Sequence, residues 1–335
     1  MERRFDINKP MQVGGQAVLE GVMMRAPGMV ATAVRRANGE ISVKKEPHRS
    51  LAERNRLFKA PILRGAAGLI EMMVIGIGTL NYSAEVAMQD MAVEKQKNGN
   101  GKSEASAASK KDAFKLSLTV AVSLLIGVAI FFLTPLAVTT SLFDVAQDPF
   151  WFNLIAGAIR IGLLLIYLVA ISMMKDIDRL FQYHGAEHKA VFAFELGQSL
   201  DVSSASRQSR FHPRCGTSFL LIVMIVSILL FSLLDALVIR SFGPIDLVTR
   251  LLTHIPLIPV VGGVSYEVIR ISAKRSETLL GRIVVAPGLW LQRITTREPD
   301  AGQLEVALVA LRCALGEDVQ TSATHQLSPQ TISMN

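Results

Sequence analysis

The stretch LSLTVAVSLLIGVAIFFLTPLAV, Leu116 to Val138, runs for 23 residues without a charged side chain. At about 1.5 Å of rise per residue, a helix of this length crosses a hydrocarbon core roughly 30 Å thick. Working outward from it, Trp151 to Met174 reads as a second span. It is interrupted only by Arg160 and opens on Phe150, Trp151 and Phe152, aromatic side chains suited to a membrane interface. Thr217 to Ile239 is a third span, with Asp235 near its end. Asp246 to Arg270 is a fourth, carrying Arg250, His254, Glu267, two prolines and the pair Gly262-Gly263.

The charges flanking these spans orient them. Residues 87–115 hold six Lys/Arg, residues 139–150 none, and residues 175–216 six. Cytoplasmic loops carry the excess of basic residues, so the first and third of these segments are expected inside and the second outside. Four spans then bring Lys274, Arg275, Arg282, Arg293 and Arg297 back to the cytoplasm. The expected location is the inner cell membrane, with both chain termini cytoplasmic. Met1 to Pro10 is charged and has no apolar core of a secretory signal, so targeting falls to the first span.

Composition agrees. The chain has 335 residues, half of them hydrophobic, and a formal charge of +7, with mean hydropathy +0.37. That is too apolar for an ordinary soluble domain and leaves room for an aqueous part. The basic residues are spread over every loop instead of forming one stripe, so membrane lipids, and not nucleic acid, are the expected partners. The two cysteines, Cys215 and Cys313, fall in no repeated spacing and indicate no disulfide framework.

The segments outside the spans divide as follows. Residues 1–60 form a cytoplasmic region in which Val30, Thr32 and Val34 alternate, Asn38-Gly39 follows, and Ile41 and Val43 alternate again. This predicts a β-hairpin closed by a tight two-residue turn. Residues 61–86 are apolar and glycine-rich but carry Arg64, Glu71 and Glu85. A crossing here would place one basic flank outside, so an interfacial or re-entrant helix is expected. Residues 87–115 read as a flexible basic linker. Residues 116–270 form the membrane domain, with a cytoplasmic loop at 175–216, and residues 271–319 form a cytoplasmic C-terminal region. There Leu304, Ala307, Leu308, Leu311 and Leu315 share a helix face. Residues 320–335 are expected to be disordered. The fold class is mainly α: a polytopic membrane protein with about four transmembrane helices, an interfacial or re-entrant helix and a small β-containing region.

Chemistry concentrates between Tyr183 and Cys215, which holds three of the six histidines and one of the two cysteines. In Tyr183-His184-Gly185-Ala186-Glu187-His188 the histidines stand at i and i+4, so on a helix both imidazoles leave one face and can share an ion. Glu187 between them completes an H-x-x-E-H pattern, in which two histidines bind zinc and the glutamate serves as general base on water. His212-Pro213-Arg214-Cys215 offers the further ligand, an imidazole or a thiol, immediately before the third span. Glu195 is an additional oxygen donor. Histidines at an interface that only hydrogen-bond to backbone or headgroups are the bland alternative. In Gly14-Gly15-Gln16-Ala17-Val18-Leu19-Glu20-Gly21-Val22-Met23-Met24-Arg25 the glycines permit close backbone approach, and Glu20 is a candidate acid/base or ligand. A plain strand with tight turns is the competing reading. Arg160 and Asp235 are a candidate pair, but the balance favours Asp235 and Arg250 reaching toward the headgroups.

These motifs, GGQAVLEGVMMR at 14–25, YHGAEHKA at 183–190, HPRCGTSF at 212–219 and REPD at 297–300, resemble the YqhQ-like family of bacterial and plastid membrane proteins of unknown function, to which metal dependence is ascribed. The resemblance covers nearly the whole chain. Leu19 and Ala26 stand where Ile and Gly are expected in the family. The site expected on these grounds is a divalent transition metal, zinc by its donor set, held by His184, His188, His212 and Cys215, with Glu187 and Glu20 as candidate catalytic groups. A metal-dependent hydrolase of a lipid-borne or membrane-adjacent substrate is the leading reading. A transporter or assembly factor with a structural metal site, or none, is the alternative, against which no internal repeat is found.

Overall fold

The computed structural model describes residues 13–97, 118–119, 122–143, 147–274, 278–319 and 323–324. Most of the expected linker and nearly all of the expected disordered tail therefore lie outside the described residues.

The chain begins as an antiparallel meander: β1 (Gly14–Val18), β2 (Gly21–Ala26), β3 (Met29–Arg35) and β4 (Ile41–Pro47) pair in sequence order. A two-residue strand, β5 (Ala323–Thr324), runs parallel to β4 at the edge. The predicted hairpin is present as β3–β4, with Val34 opposite Ser42. Its turn is longer than two residues: Arg36 N–H donates to Glu40 O at 2.8 Å and Gly39 N–H to Arg36 O at 2.9 Å. The Asn38 side chain accepts from the Glu40 amide at 3.1 Å, and only Gly39 takes a positive φ, +89°. Asn38 satisfies the turn through its side chain, so the geometry is that of a three-residue loop closed by a left-handed glycine.

Both faces of the sheet are covered. Val22, Met24, Ala26, Ala31 and Ala33 pack against α4 (Lys175–Glu195) and α8 (Ala301–Ala314). Val18 and Val34 face Val86 and Tyr82 on α1 (Leu63–Lys97). This double burial explains why β2 shows little alternation of exposure. Helix α8 is started by a capping box between Asp300 and Gln303 and buries Leu304, Ala307, Leu308 and Leu311, as its spacing predicts.

Five helices are long and apolar enough to cross a membrane: Leu63–Glu94 within α1, Val122–Leu142 (α2), Pro149–Ser172 (α3), Gly216–Phe242 (α5) and Leu247–Ser272 within α6 (Leu247–Lys274). The protein is thus a multi-pass membrane protein that is mainly helical. Residues 63–97 form one uninterrupted helix, so no re-entrant turn occurs there, and the helix continues through the first residues expected of the linker. Helix α7 (Leu279–Thr295) packs on α5 and α6, where Gly288 lies so close to Ser218 that an added Cβ would stand 2.3 Å from it.

Several polar residues inside the bundle are engaged with one another, although His254 Nδ1 is buried with no hydrogen-bond partner among the described residues. Pro135 in α2 has no N–H to give to Phe131, four residues back, and the helix widens to a π turn over Ala129–Leu133. Arg160 donates to the Phe131 carbonyl at 2.9 Å and to Ser227 Oγ at 3.3 Å, so it does not pair with Asp235. Asp235 and Arg250 do not reach toward the headgroups. Both are fully buried, and the Asp235 carboxylate accepts from Arg250 Nε at 3.0 Å, Asn153 Nδ2 at 2.8 Å and His254 Nε2 at 2.9 Å. Three helices meet on one carboxylate, an arrangement that loop charge counts do not reveal.

Candidate metal centre

Helix α4 follows α3 after a short break at Met173 and Met174 and carries the site on the face turned toward the ends of α5 and α7. The i,i+4 spacing brings the His184 and His188 rings to 4.4 Å between centroids. Cys215 is the N-cap of α5; its Sγ accepts from the Thr217 amide at 3.4 Å and lies 3.2 Å from His184 Nε2. One donor atom each from His184, His188 and Cys215 falls within 4.8 Å of the others.

The hydrogen bonds to the far ring nitrogens determine what the near ones can do. His184 Nδ1 meets the Thr295 carbonyl at 2.8 Å, and His188 Nδ1 meets the Arg210 carbonyl. A carbonyl oxygen only accepts, so in each ring Nδ1 carries the proton and Nε2 keeps its lone pair. His188 Nε2 is buried and makes no well-formed hydrogen bond among the described residues, although the Cys215 thiol stands near enough to act on the ring. Burial lowers the pKa of both imidazoles, favouring the neutral, ligating form.

His212 differs. Its Nδ1 accepts from the Arg214 amide at 3.3 Å, which leaves Nε2 as the donor to Glu195 Oε2, also at 3.3 Å. Both nitrogens have hydrogen-bond partners; the His212 ring stands 5.6 Å from the His188 ring between centroids, while the Cys215 thiol is the HPRC donor within 4.8 Å of the pair on α4. Glu195 in turn pairs with Arg214.

Glu187 lies beside the cluster, with Oε2 3.5 Å from His188 Nε2. Burial raises its pKa above the ordinary carboxylate value, against the pull of His184, His212 and the Gly15 amide. That amide reaches the carboxylate because Gly15 has no side chain: an added Cβ would stand 2.7 Å from Glu187 Cγ. Gly185 is equally constrained, since its Cβ would lie 2.1 Å from the Arg297 carbonyl. Glu20 does not reach the histidines. It sits at the β1–β2 turn with φ +51°, pairs with Arg179 through both oxygens, and accepts from Tyr183 Oη at 3.3 Å.

Several supporting groups carry no legible ligand signature. Gln292 on α7 clamps the HPRC turn, accepting from the His212 amide at 2.7 Å and donating to the His212 carbonyl at 2.8 Å and Ser218 Oγ at 3.0 Å. The only hint in the sequence is a lone glutamine in an apolar run. The REPD motif locks α4 from behind: Arg297 Nε donates to Asp178 at 2.9 Å, Glu298 pairs with Lys189, and Asp300 caps α8.

The donor set fits zinc. Ligand atoms around a tetrahedral zinc stand roughly 3.3–3.8 Å apart, given bonds of about 2.0–2.3 Å, and the three donor atoms here lie within 4.8 Å of one another. Two imidazoles with Nδ1–H held by carbonyls, plus a thiol, also match the outer-sphere pattern of metal-ligating histidines.

Fold and site together define a multi-pass membrane protein with a buried His/Cys/Glu cluster where its apolar helices meet a sheet-containing region. The chain belongs to the family described as "Protein of unknown function (DUF1385)", which matches residues 60–317. It is 35% identical over 306 residues to "Uncharacterized protein YqhQ" of Bacillus subtilis (strain 168), covering 89% of this chain and 91% of that protein. No solved structure matches the chain.

Proposed function

We propose that His184, His188 and Cys215 hold a divalent transition metal, zinc by their chemistry, and that the site is hydrolytic toward a lipid-borne or membrane-adjacent substrate. The observation that carries this reading is the convergence of donor atoms from His184, His188 and Cys215 within 4.8 Å of one another, with the buried His188 Nε2 making no well-formed hydrogen bond among the described residues. An unpaired buried nitrogen costs free energy, and a metal ion removes that cost. A zinc ion bound there supplies Lewis acidity at a carbonyl or phosphoryl oxygen. Glu187 takes and returns the proton of the attacking water, a role for which its burial-raised pKa suits it. Gly15 and Gln292 keep Glu187 and the HPRC turn in register. The excess of basic residues in 87–115 and 175–216 supports placing the cluster on the cytoplasmic face of the inner membrane. An accessible reporter fused after Met174 checks this, and an external signal there overturns the orientation.

The near-complete burial of His188 and Glu187 favours a second reading, a closed structural centre with Glu187 as fourth ligand. Glu187→Gln separates the two. Under the hydrolytic reading the variant keeps about one metal per chain by elemental analysis. It also loses the water-adding activity of the wild type on a bacterial phospholipid extract, followed by mass spectrometry. Metal loss in the variant, with no hydrolysis by the wild type, establishes the structural reading instead.

A further inference from the structure

We infer that α1 does not cross the membrane but lies in the plane of its interface, with its outer face in the acyl chains and the basic corner at its N-terminal end on anionic lipid headgroups. The inner face of α1 is taken by the sheet from Glu71 to Asp90. Arg25 pairs with Glu71 at 3.4 Å, Gln16 lies against Gly76, Ser42 and Tyr82 share a hydrogen bond of 2.8 Å, and Arg36 pairs with Asp90 at 2.7 Å. A helix crossing the bilayer over these residues would carry strands β1–β4 and their charges into hydrocarbon. Each lysine or arginine at mid-depth is disfavoured by about 2.5–3.5 kcal/mol, and an open sheet edge has no place there.

The outer face is apolar at helical spacing: Ile70, Met73, Val74, Ile77, Met88 and Met91 are all exposed. Asn81 and Glu85, also exposed, interrupt this side, which suits the boundary between headgroups and acyl chains better than the bilayer centre. The occupant follows from continuity and charge. Near its start α1 meets α6, where Gly65 lies against Gly263 and Arg64 pairs with Glu267, so its outer stripe continues the lipid-facing surface of the bundle. Arg49, Arg54, Arg56 and Lys59 are exposed just before α1 and form no ion pair among the described residues; Leu57 stands among them 69% exposed, Glu53 is the one acidic residue in 47–62, and Glu71 of α1 reaches the Leu51 amide. Basic residues interleaved with an exposed leucine beside an apolar helix face are the chemistry of an anionic leaflet.

The test places a polarity-sensitive fluorophore at Met73→Cys, Ile77→Cys or Met88→Cys in the full chain, reconstituted in vesicles of phosphatidylcholine with phosphatidylglycerol. Native Cys215 and Cys313 are buried, and the unsubstituted chain controls for them. Depth-dependent quenching by spin-labelled lipid is expected to put all three positions at one shallow depth. Arg54→Gln and Arg56→Gln are each expected to lower the enrichment of bound phosphatidylglycerol about fivefold, equivalent to about 1 kcal/mol per basic residue. A graded depth, about 22 Å between Met73 and Met88, means that α1 spans and overturns the inference. Quenching from the aqueous side also overturns it, as does shielding from both phases that grows with protein concentration and reveals a second copy or another protein. Unchanged lipid enrichment in the arginine variants overturns the headgroup assignment.

Discussion

Asp235→Ala is expected to destabilise the membrane bundle by about 3–5 kcal/mol, the cost of breaking a buried ion pair by removing one partner. Asp235 accepts hydrogen bonds from Arg250, His254 and Asn153, so its loss removes the acceptor shared by a buried cation, an imidazole and an amide at once. A typical side-chain hydrogen bond between membrane helices is worth only about 0.6 kcal/mol, so three such bonds do not account for the expected loss. The larger part comes from Arg250, whose charged guanidinium is fully buried over the Phe152 ring at 3.5 Å and loses its carboxylate counter-charge. Unfolding in mixed detergent micelles measures this effect. The double replacement Asp235→Leu with Arg250→Met is expected to recover most of the loss, because it removes both charges and fills the space. A loss below about 1 kcal/mol for Asp235→Ala would sink the view that the pair braces α5 and α6.

His188→Ala is expected to abolish metal binding, whereas His212→Ala is expected to leave about one metal per chain with affinity lowered roughly 10–100-fold. The difference follows from the ring nitrogens: His188 presents its Nε2 to the cluster beside Cys215, while both nitrogens of His212 are occupied by Arg214 and Glu195. Metal-linked stabilisation is large because the ligands are dispersed in the unfolded chain. The melting temperature of the wild type is therefore expected to fall on chelation, and that of His188→Ala to be insensitive to chelator. Equal metal content in the two variants would refute the three-ligand set, and wild-type protein purified without metal yet fully folded would refute the metal site itself.

The sequence alone determined the apolar spans, the β-hairpin, the amphipathic C-terminal helix and the clustering of His184, His188, His212 and Cys215 in one stretch of chain. Each is written in local patterns: uncharged runs of bilayer length, period-two alternation, and i,i+4 spacing. What only the tertiary structure decided are the relations between distant segments. The placing of Cys215 Sγ within 4.8 Å of the His184–His188 donor atoms, with the His212 nitrogens turned to Arg214 and Glu195, rests on where carbonyls and amides from α7 and the HPRC turn meet the rings, and main-chain atoms leave no mark on residue identity. Glu20 has the right chemistry for the cluster, but the turn it occupies aims it at Arg179. Asp235 and Arg250 look exposed by their nearness to helix ends and are buried because three helices converge there. The tight turn expected of Asn38-Gly39 gained a residue because the Asn38 side chain competes for the backbone. Motif spacing thus identified the candidate donor residues of the cluster between Tyr183 and Cys215, while long-range hydrogen bonding decided which of their atoms face one another.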